Sequence, residues 1–221
     1  MTGDLLLSLV LVSVLTVLVT YAWVQYRHAP SPARVMKEGG TFLLGERLMS
    51  IAYKLITPLV DRLAEKNIHP KTITWLSLPL GAASGISAAV GFWSCAAFML
   101  LLSGLCDMLD GALARIQLNA SSSGAALDSV IDRYVEFFVF LGIALHFRNS
   151  TAVVVFIICA LFGSMMVTYS SAKAEALQMQ PPRGFMKRSE RITYLITGFL
   201  VTPWFPLLGL TTKDAILIII G

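Results

Sequence analysis

Charge is what this 221-residue chain has least of: Asp, Glu, Lys and Arg together make up 14% of it. Soluble domains carry about 25%. The deficit excludes an ordinary water-facing globule. Hydrophobic residues fill 56% of the chain, and the mean hydropathy is +0.74. Lipid therefore takes the place of water around most of it. Cysteine is scarce too. Cys95, Cys106 and Cys159 all lie in apolar runs without a metal-ligand spacing. They read as small buried hydrophobes, not as a metal centre. Gly/Ser linkers, internal repeats and low-complexity tracts are absent, which leaves no seam for a separate soluble domain. No nucleic-acid partner is expected.

What is present is a series of apolar runs: Leu5–Trp23, Ile73–Trp93, Cys95–Leu109, Leu127–Leu145, Ala152–Tyr169 and Ile192–Leu210. A helix needs about 20 residues to cross a hydrocarbon core of about 30 Å. The shorter runs reach that length through their small and polar flanks. Backbone groups in lipid must pair within their own segment, so the runs are expected to be helices. The final run, Ala215–Ile220, is too short to span, which makes the last helix incomplete or truncated. The first run lacks both a preceding Lys or Arg and a small-residue cleavage site, and reads as an uncleaved anchor.

The basic residues are one-sided. Of the 17 Lys and Arg residues, only Arg148 and Lys213 fall on the far side of this series. The positive-inside rule puts the others in the cytoplasm and the N-terminus outside. Between the first two spans, Phe42–Ala64 places Leu48, Ile51, Ala52, Leu55, Ile56 and Leu59 among charges. This predicts an amphipathic helix lying in the membrane interface, interrupted or kinked near Pro58. The alternative is a surface helix docked on the protein.

The third run ends in Asp107-Met-Leu-Asp110-Gly111-Ala-Leu-Ala114-Arg115, and the next segment carries Gly124, Asp128 and Asp132. Spacings of three and four share a helix face. Two consecutive antiparallel helices would thus aim four carboxylates at one point, near the cytoplasmic ends. An ionised carboxylate at the bilayer centre costs roughly 2.5–3.5 kcal/mol, and four repel one another. Arg115 supplies one opposite charge. Hard divalent cations prefer oxygen ligands, and two of them would balance four acids. Paired metals serve displacement at phosphorus. Gly111, Ala114 and Gly124 allow close helix approach or leave room for a nucleotide. Glu136, one turn beyond Asp132, is either a fifth acid of the site or a packed, bridged residue.

These residues resemble the signature of the CDP-alcohol phosphotransferase family, D-x2-D-G-x2-A-R-x8-G-x3-D-x3-D, without a gap. Eight fixed positions at under one in ten each make an accident rarer than about 10⁻⁸ per starting site. The resemblance implies an all-α polytopic membrane bundle with a six-helix core, to which this chain adds an N-terminal transmembrane helix and the interfacial helix. Residues 1–40 would form an anchor and basic linker, and residues 41–221 the transferase domain. It implies Mg²⁺ or Mn²⁺, two ions, held by Asp107, Asp110 and Asp128, with Asp132 completing the cluster and acting as general base on the acceptor hydroxyl. Gly111, Arg115 and Gly124 would border the CDP group of a CDP-diacylglycerol-like lipid beside Asp107, and CMP would leave. A homodimer among membrane lipids is expected by resemblance.

The likeness extends over roughly Arg47–Leu210 and is similar to phosphatidylinositol phosphate synthases. Thr57-Pro58 through Pro70-Lys71-Thr72-Ile73-Thr74 resembles their T-P…P-D-x-x-T stretch and adds Thr74 to the CDP set. Tyr169-Ser-Ser171-Ala-Lys173-Ala-Glu175 resembles Y-x-K-A-R-A-E, and Gly184-Phe-Met-Lys187-Arg188-Ser-Glu190-Arg191 resembles G-F-x-E-R-x-E-R. In that branch these motifs hold the acceptor's phosphate, which puts Ser171, Lys173, Arg188 and Arg191 in an acceptor pocket. Ser171 stands in place of Lys, Lys173 in place of Arg, Lys187 in place of Glu, and Lys71 in place of an acid or amide. Basic residues at this mouth suit a phosphorylated acceptor such as inositol phosphate, and equally suit positive-inside anchoring. Glycerol phosphate, serine or another alcohol remains an alternative acceptor. A divalent-cation transporter is the alternative outside enzymes, and it would place its acids near the midplane between broken helices.

Overall fold

The structure is a computed structural model that describes residues 2–26, 45–118, 121–179, 188–208 and 211. It is all-α: α1 (Thr2–Tyr26), α2 (Gly45–Glu65), α3 (Pro70–Ala89), α4 (Trp93–Ile116), α5 (Ser122–His146), α6 (Thr151–Ala176) and α7 (Arg188–Val201), followed by a 3-10 turn at Thr202–Leu208. The short final run and the motif residues Gly184 and Lys187 lie outside the described residues.

Three helices, Gly3–Tyr26, Trp93–Ile116 and Thr151–Ala176, are long and apolar enough to cross a membrane by length and composition. Their outward faces are greasy. Val10, Val17 and Val24 on α1 and Ile158 and Phe162 on α6 are exposed, as surfaces bathed in hydrocarbon would be. Polar side chains on α1 turn back onto their own helix: Ser13, Thr16 and Thr20 donate to carbonyls three or four residues earlier. This satisfies them without water. Cys159, expected to be buried, points outward on α6.

The core is a trio of α3, α4 and α5, with α7 laid on α4 and α6 on α5. Trp93, Leu100, Val135, Val139, Ile143 and Phe199 fill its interior. Helices α3 and α5 approach backbone to backbone, where glycines replace side chains. A Cβ on Gly85 would stand 2.2 Å from the Phe138 carbonyl oxygen, and one on Gly142 would stand 2.0 Å from that of Gly85. Gly81 and Gly85 form a small-xxx-small pair of the kind that lets membrane helices touch backbone to backbone.

Several boundaries depart from the apolar runs. The run Ile73–Trp93 crosses a turn: α3 stops at Ala89, and Gly91 adopts φ +82° before Trp93 opens α4. Left-handed backbone of that kind suits glycine, and hydropathy does not register it. The run Cys95–Leu109 continues as helix to Ile116, so the whole Asp107–Arg115 stretch is helical. The run Ile192–Leu210 is not one helix. It ends at Val201, because Pro203 lacks an N–H and its ring opposes the preceding turn.

Of the interruption or kink expected near Pro58, the interruption is absent: α2 is assigned as helix through it. Neither alternative for α2 holds alone. Ile56 and Val60 are buried with Ile73, Cys106 and Leu113, so one edge is docked on the protein. Leu55 and Leu59 stay exposed.

Polar contacts tie the N-terminal helix to the bundle. Ser94 donates through its N–H to Asp4 Oδ1 at 2.9 Å, and through its hydroxyl to the Asp4 carbonyl at 2.8 Å. Ser8 donates to the Leu200 carbonyl and accepts from Trp204 Nε1. The start of α1 therefore lies beside the start of α4, at the end of the bundle remote from Asp107 and Asp110.

Candidate active site

Each acid is delivered by a continuous helix. Asp107 and Asp110 sit one turn apart near the end of α4, and Asp128 and Asp132 one turn apart near the start of α5. The α5 start is set by Ser121, whose Oγ accepts from the Gly124 N–H at 3.1 Å. The α3 start is set by His69 as cap and Pro70 in the first turn. Three helix ends thus meet at one place, and the acids belong to unbroken helices, not to the broken ones a midplane ion pathway requires.

Asp107, Asp110 and Asp128 each offer a carboxylate oxygen, and these oxygens all lie within 4.8 Å of one another. Two like charges at 4.8 Å repel by about 3.5 kcal/mol at an effective dielectric near 20. Such a set of hard oxygen donors fits a divalent cation. Thr74 Oγ1 donates to Asp110 Oδ2 at 2.5 Å, which fixes the orientation of that buried carboxylate. Thr74→Val should therefore weaken Mn²⁺ binding about ten- to a hundredfold, the worth of a hydrogen bond to a charged group. Titration calorimetry of purified protein reads this directly.

Asp132 stands apart from those three oxygens. Arg188 joins it to them: its Nη1 lies 3.3 Å from Asp107 Oδ2, and its Nη2 pairs with Asp132 Oδ1. A guanidinium thus bridges α4 and α5 at the edge of the cluster.

A cavity of about 460 Å³ opens beside the acids. Of the residues expected at the CDP group, Asp107, Gly111, Arg115, Gly124 and Thr74 all line it, together with Asp110 and Asp128. The residues expected at the acceptor's phosphate lie on α6 and α7. Ser171 and Lys173 are exposed on the last turns of α6, and the Ser171 hydroxyl donates back to the Val167 carbonyl at 3.0 Å. Arg188 faces the acids, while Arg191 pairs with Glu136. Glu136 is a bridged residue and not a fifth acid of the cluster.

The cavity also holds residues that sequence reasoning missed: Tyr53, His69 and Ser121. Signals for two of them were present. Tyr53 falls on the Ile56–Val60 face of α2, and His69 precedes a helix-opening proline.

The model of the CDP-alcohol phosphatidyltransferase family matches residues 67–220. The chain belongs to that family. It is thus an integral membrane enzyme, a metal-dependent CDP-alcohol phosphotransferase of phospholipid biosynthesis. Among its relatives, the phosphatidylinositol phosphate synthase of Mycobacterium bovis is 32% identical over 166 residues, covering 71% of this chain and 76% of the relative. The archaetidylinositol phosphate synthase of Methanothermobacter thermautotrophicus is 31% identical over 156 residues, covering 69% and 77%. The solved structure of the Mycobacterium tuberculosis phosphatidylinositol phosphate synthase with CDP-DAG bound superposes with a TM-score of 0.65 at 26% identity, covering 76% of this chain and 86% of that one. The same enzyme in complex with manganese and citrate gives a TM-score of 0.64, covering 74% and 81%. The family assignment leaves the transporter alternative without support.

Proposed function

We propose that this transferase moves a phosphatidyl group from a CDP-diacylglycerol-like lipid to inositol phosphate, releasing CMP on the cytoplasmic side of the membrane. The observation that carries the reading is the convergence of three carboxylates on a cavity large enough for a nucleotide, with a fourth carboxylate tied to a guanidinium at its edge. The names of the relatives support the acceptor, and the one-sided basic residues support the orientation.

In this reading Asp107, Asp110 and Asp128 hold two ions, Mg²⁺ or Mn²⁺, with Asp132 at the margin of the set. Bound ions would neutralise the pyrophosphate and polarise the phosphorus under attack. Gly111 and Gly124 leave space for the CDP group, and Arg115 and Thr74 border it beside Asp107. Asp132 takes the proton of the acceptor hydroxyl as its oxygen bonds to the lipid-side phosphorus. The bond from that phosphorus to the bridging oxygen breaks, and CMP carries the electron pair away. Arg188, already beside Asp132, meets the acceptor's phosphate, with Lys173 and Ser171 further out along α6. Residues 1–40 act as anchor and linker to a transferase domain at 41–221, and the working unit is a homodimer.

Purified protein given CDP-diacylglycerol, Mn²⁺ and a panel of acceptors should release CMP with inositol phosphate in preference to inositol, glycerol phosphate or serine. Release with none of them from folded protein would defeat the enzyme reading. Preference for another alcohol would defeat only the choice of acceptor.

A further inference from the structure

Lys71 stands where the resembling motif of phosphatidylinositol phosphate synthases has an acid or amide, one residue after the proline that opens α3. The exchange inverts the chemistry of the position. A carboxylate or amide oxygen accepts hydrogen bonds, whereas an ammonium donates three and accepts none. Lys71 lines the cavity beside the acids. Its Nζ donates to Ser123 Oγ on α5 at 3.4 Å, a neutral partner, and among the described residues no carboxylate pairs with it. Both ends of this contact are placed by helix starts. The Lys71 N–H donates to the capping His69 Nδ1 at 3.3 Å. Ser123 Oγ lies 3.2 Å from Ser121 Oγ, the cap of α5.

The depth of the contact points to its partner. Thr74 stands one turn further along the same face of α3, where it binds Asp110. Asp128 stands five residues beyond Ser123 on α5. At 1.5 Å per residue, Lys71 lies roughly 4.5 Å from the level of Thr74 along α3, and Ser123 roughly 7.5 Å from that of Asp128 along α5. Both steps lead toward the helix starts. Arg115, in the last turn of α4, lines the cavity as well. With the pyrophosphate on the three acids and their cations, the lipid half of the donor stays with the membrane and the nucleotide half projects toward these helix ends. Lys71 is then level with the CMP phosphate, which keeps the bridging oxygen and gains a charge when the bond to the lipid-side phosphorus breaks. An ammonium is matched to that charge.

We propose that Lys71 binds the phosphate of the nucleotide half, holding the CDP-lipid as it enters and CMP before it leaves, by a cationic contact in place of the acceptor contact an acid or amide would make. This rests on the placement of the CDP group given above and not on the choice of acceptor. CMP and cytidine are titrated into the detergent-purified parent, Lys71→Met and Lys71→Arg with Mn²⁺ present, and CMP release is measured against CDP-lipid and acceptor concentration. In Lys71→Met the Kd for CMP should rise about tenfold, the lower end for a hydrogen bond to a charged group because Lys71 is exposed. The CDP-lipid KM should rise by a similar factor, while the acceptor KM and the Kd for cytidine stay within about twofold. Lys71→Arg keeps the charge and should remain within about threefold of the parent. Added salt should weaken CMP binding more steeply in the parent than in Lys71→Met. Equal CMP affinity in the parent and Lys71→Met would overturn the proposal. An equal loss for cytidine would also overturn it, by making Lys71 a reader of the nucleoside, and so would a raised acceptor KM with the CDP-lipid KM unchanged. Gly124→Val, which fills the cavity without altering a charge, tests the placement of the nucleotide separately. It should abolish CMP binding, and parent-like CMP binding in folded Gly124→Val would sink that placement itself.

Discussion

Asp128→Asn should lower CMP release by at least about a hundredfold, the upper range for groups that merely support a metal ligand, and leave the protein folded. Asn keeps the size of the side chain and one acceptor oxygen but removes the charge. Asp128 is one of three carboxylates whose oxygens lie within 4.8 Å, so losing one charge relieves repulsion in the fold as it removes attraction for a cation. Stability and activity should therefore move in opposite directions. Thermal melting in detergent and a CMP-release assay on the same preparation check both. An active Asp128→Asn protein would contradict the ligand role. Asp107→Asn should behave differently, because Asp107 also faces Arg188. Its loss strips that guanidinium of one of its two acidic partners, and the melting temperature should not rise.

The second large effect is structural. Gly142→Val and Gly85→Leu should each prevent recovery of folded protein, and even Gly142→Ala should lower the melting temperature markedly. The added Cβ at either position meets backbone, 2.0 Å from the Gly85 carbonyl oxygen or 2.2 Å from that of Phe138. A flexible side chain can swing aside, but a helix backbone cannot without moving the helix. Overpacking a core typically costs about 1–3 kcal/mol, and a backbone clash belongs at or above the top of that range. Gly81 supplies the contrast. Its added Cβ would meet only the Val135 side chain, at 2.7 Å, so Gly81→Ala should be milder. Size-exclusion profiles of the detergent-extracted variants distinguish these cases. The consequence for the site is direct, since α3 and α5 bring Thr74 and Asp128 to one cavity.

The acids were legible because carboxylates in an apolar context are costly, and their three- and four-residue spacing fixes the face they share. The family resemblance, not the spacing, put Gly111, Arg115 and Gly124 at the nucleotide, and all three line the cavity. Helix ends were less legible. The turn at Gly91 lies inside an apolar run, where hydropathy shows no break, and the signal is backbone conformation. Pro203 ended α7 early, yet Pro58 did not interrupt α2, so proline alone did not decide. The partners of the basic residues were illegible for a different reason. A basic motif reports charge and spacing, but not which acid on another helix has claimed each arginine. Arg191 and Glu136 are far apart in sequence, and only the fold brings their side chains together.

The bond between Asp4 and Ser94 also fixes a depth. It sets the first turn of α1 level with the first turn of α4. From Ser94 to Asp107 and Asp110 the helix then climbs roughly 20 to 24 Å at 1.5 Å per residue, short of a hydrocarbon slab about 30 Å thick. Were Asp4 level with the headgroups of one leaflet, the carboxylates would stop below the surface of the other. A nucleotide would then have to sink past the headgroup plane to reach them, while a lipid phosphate need only slide sideways.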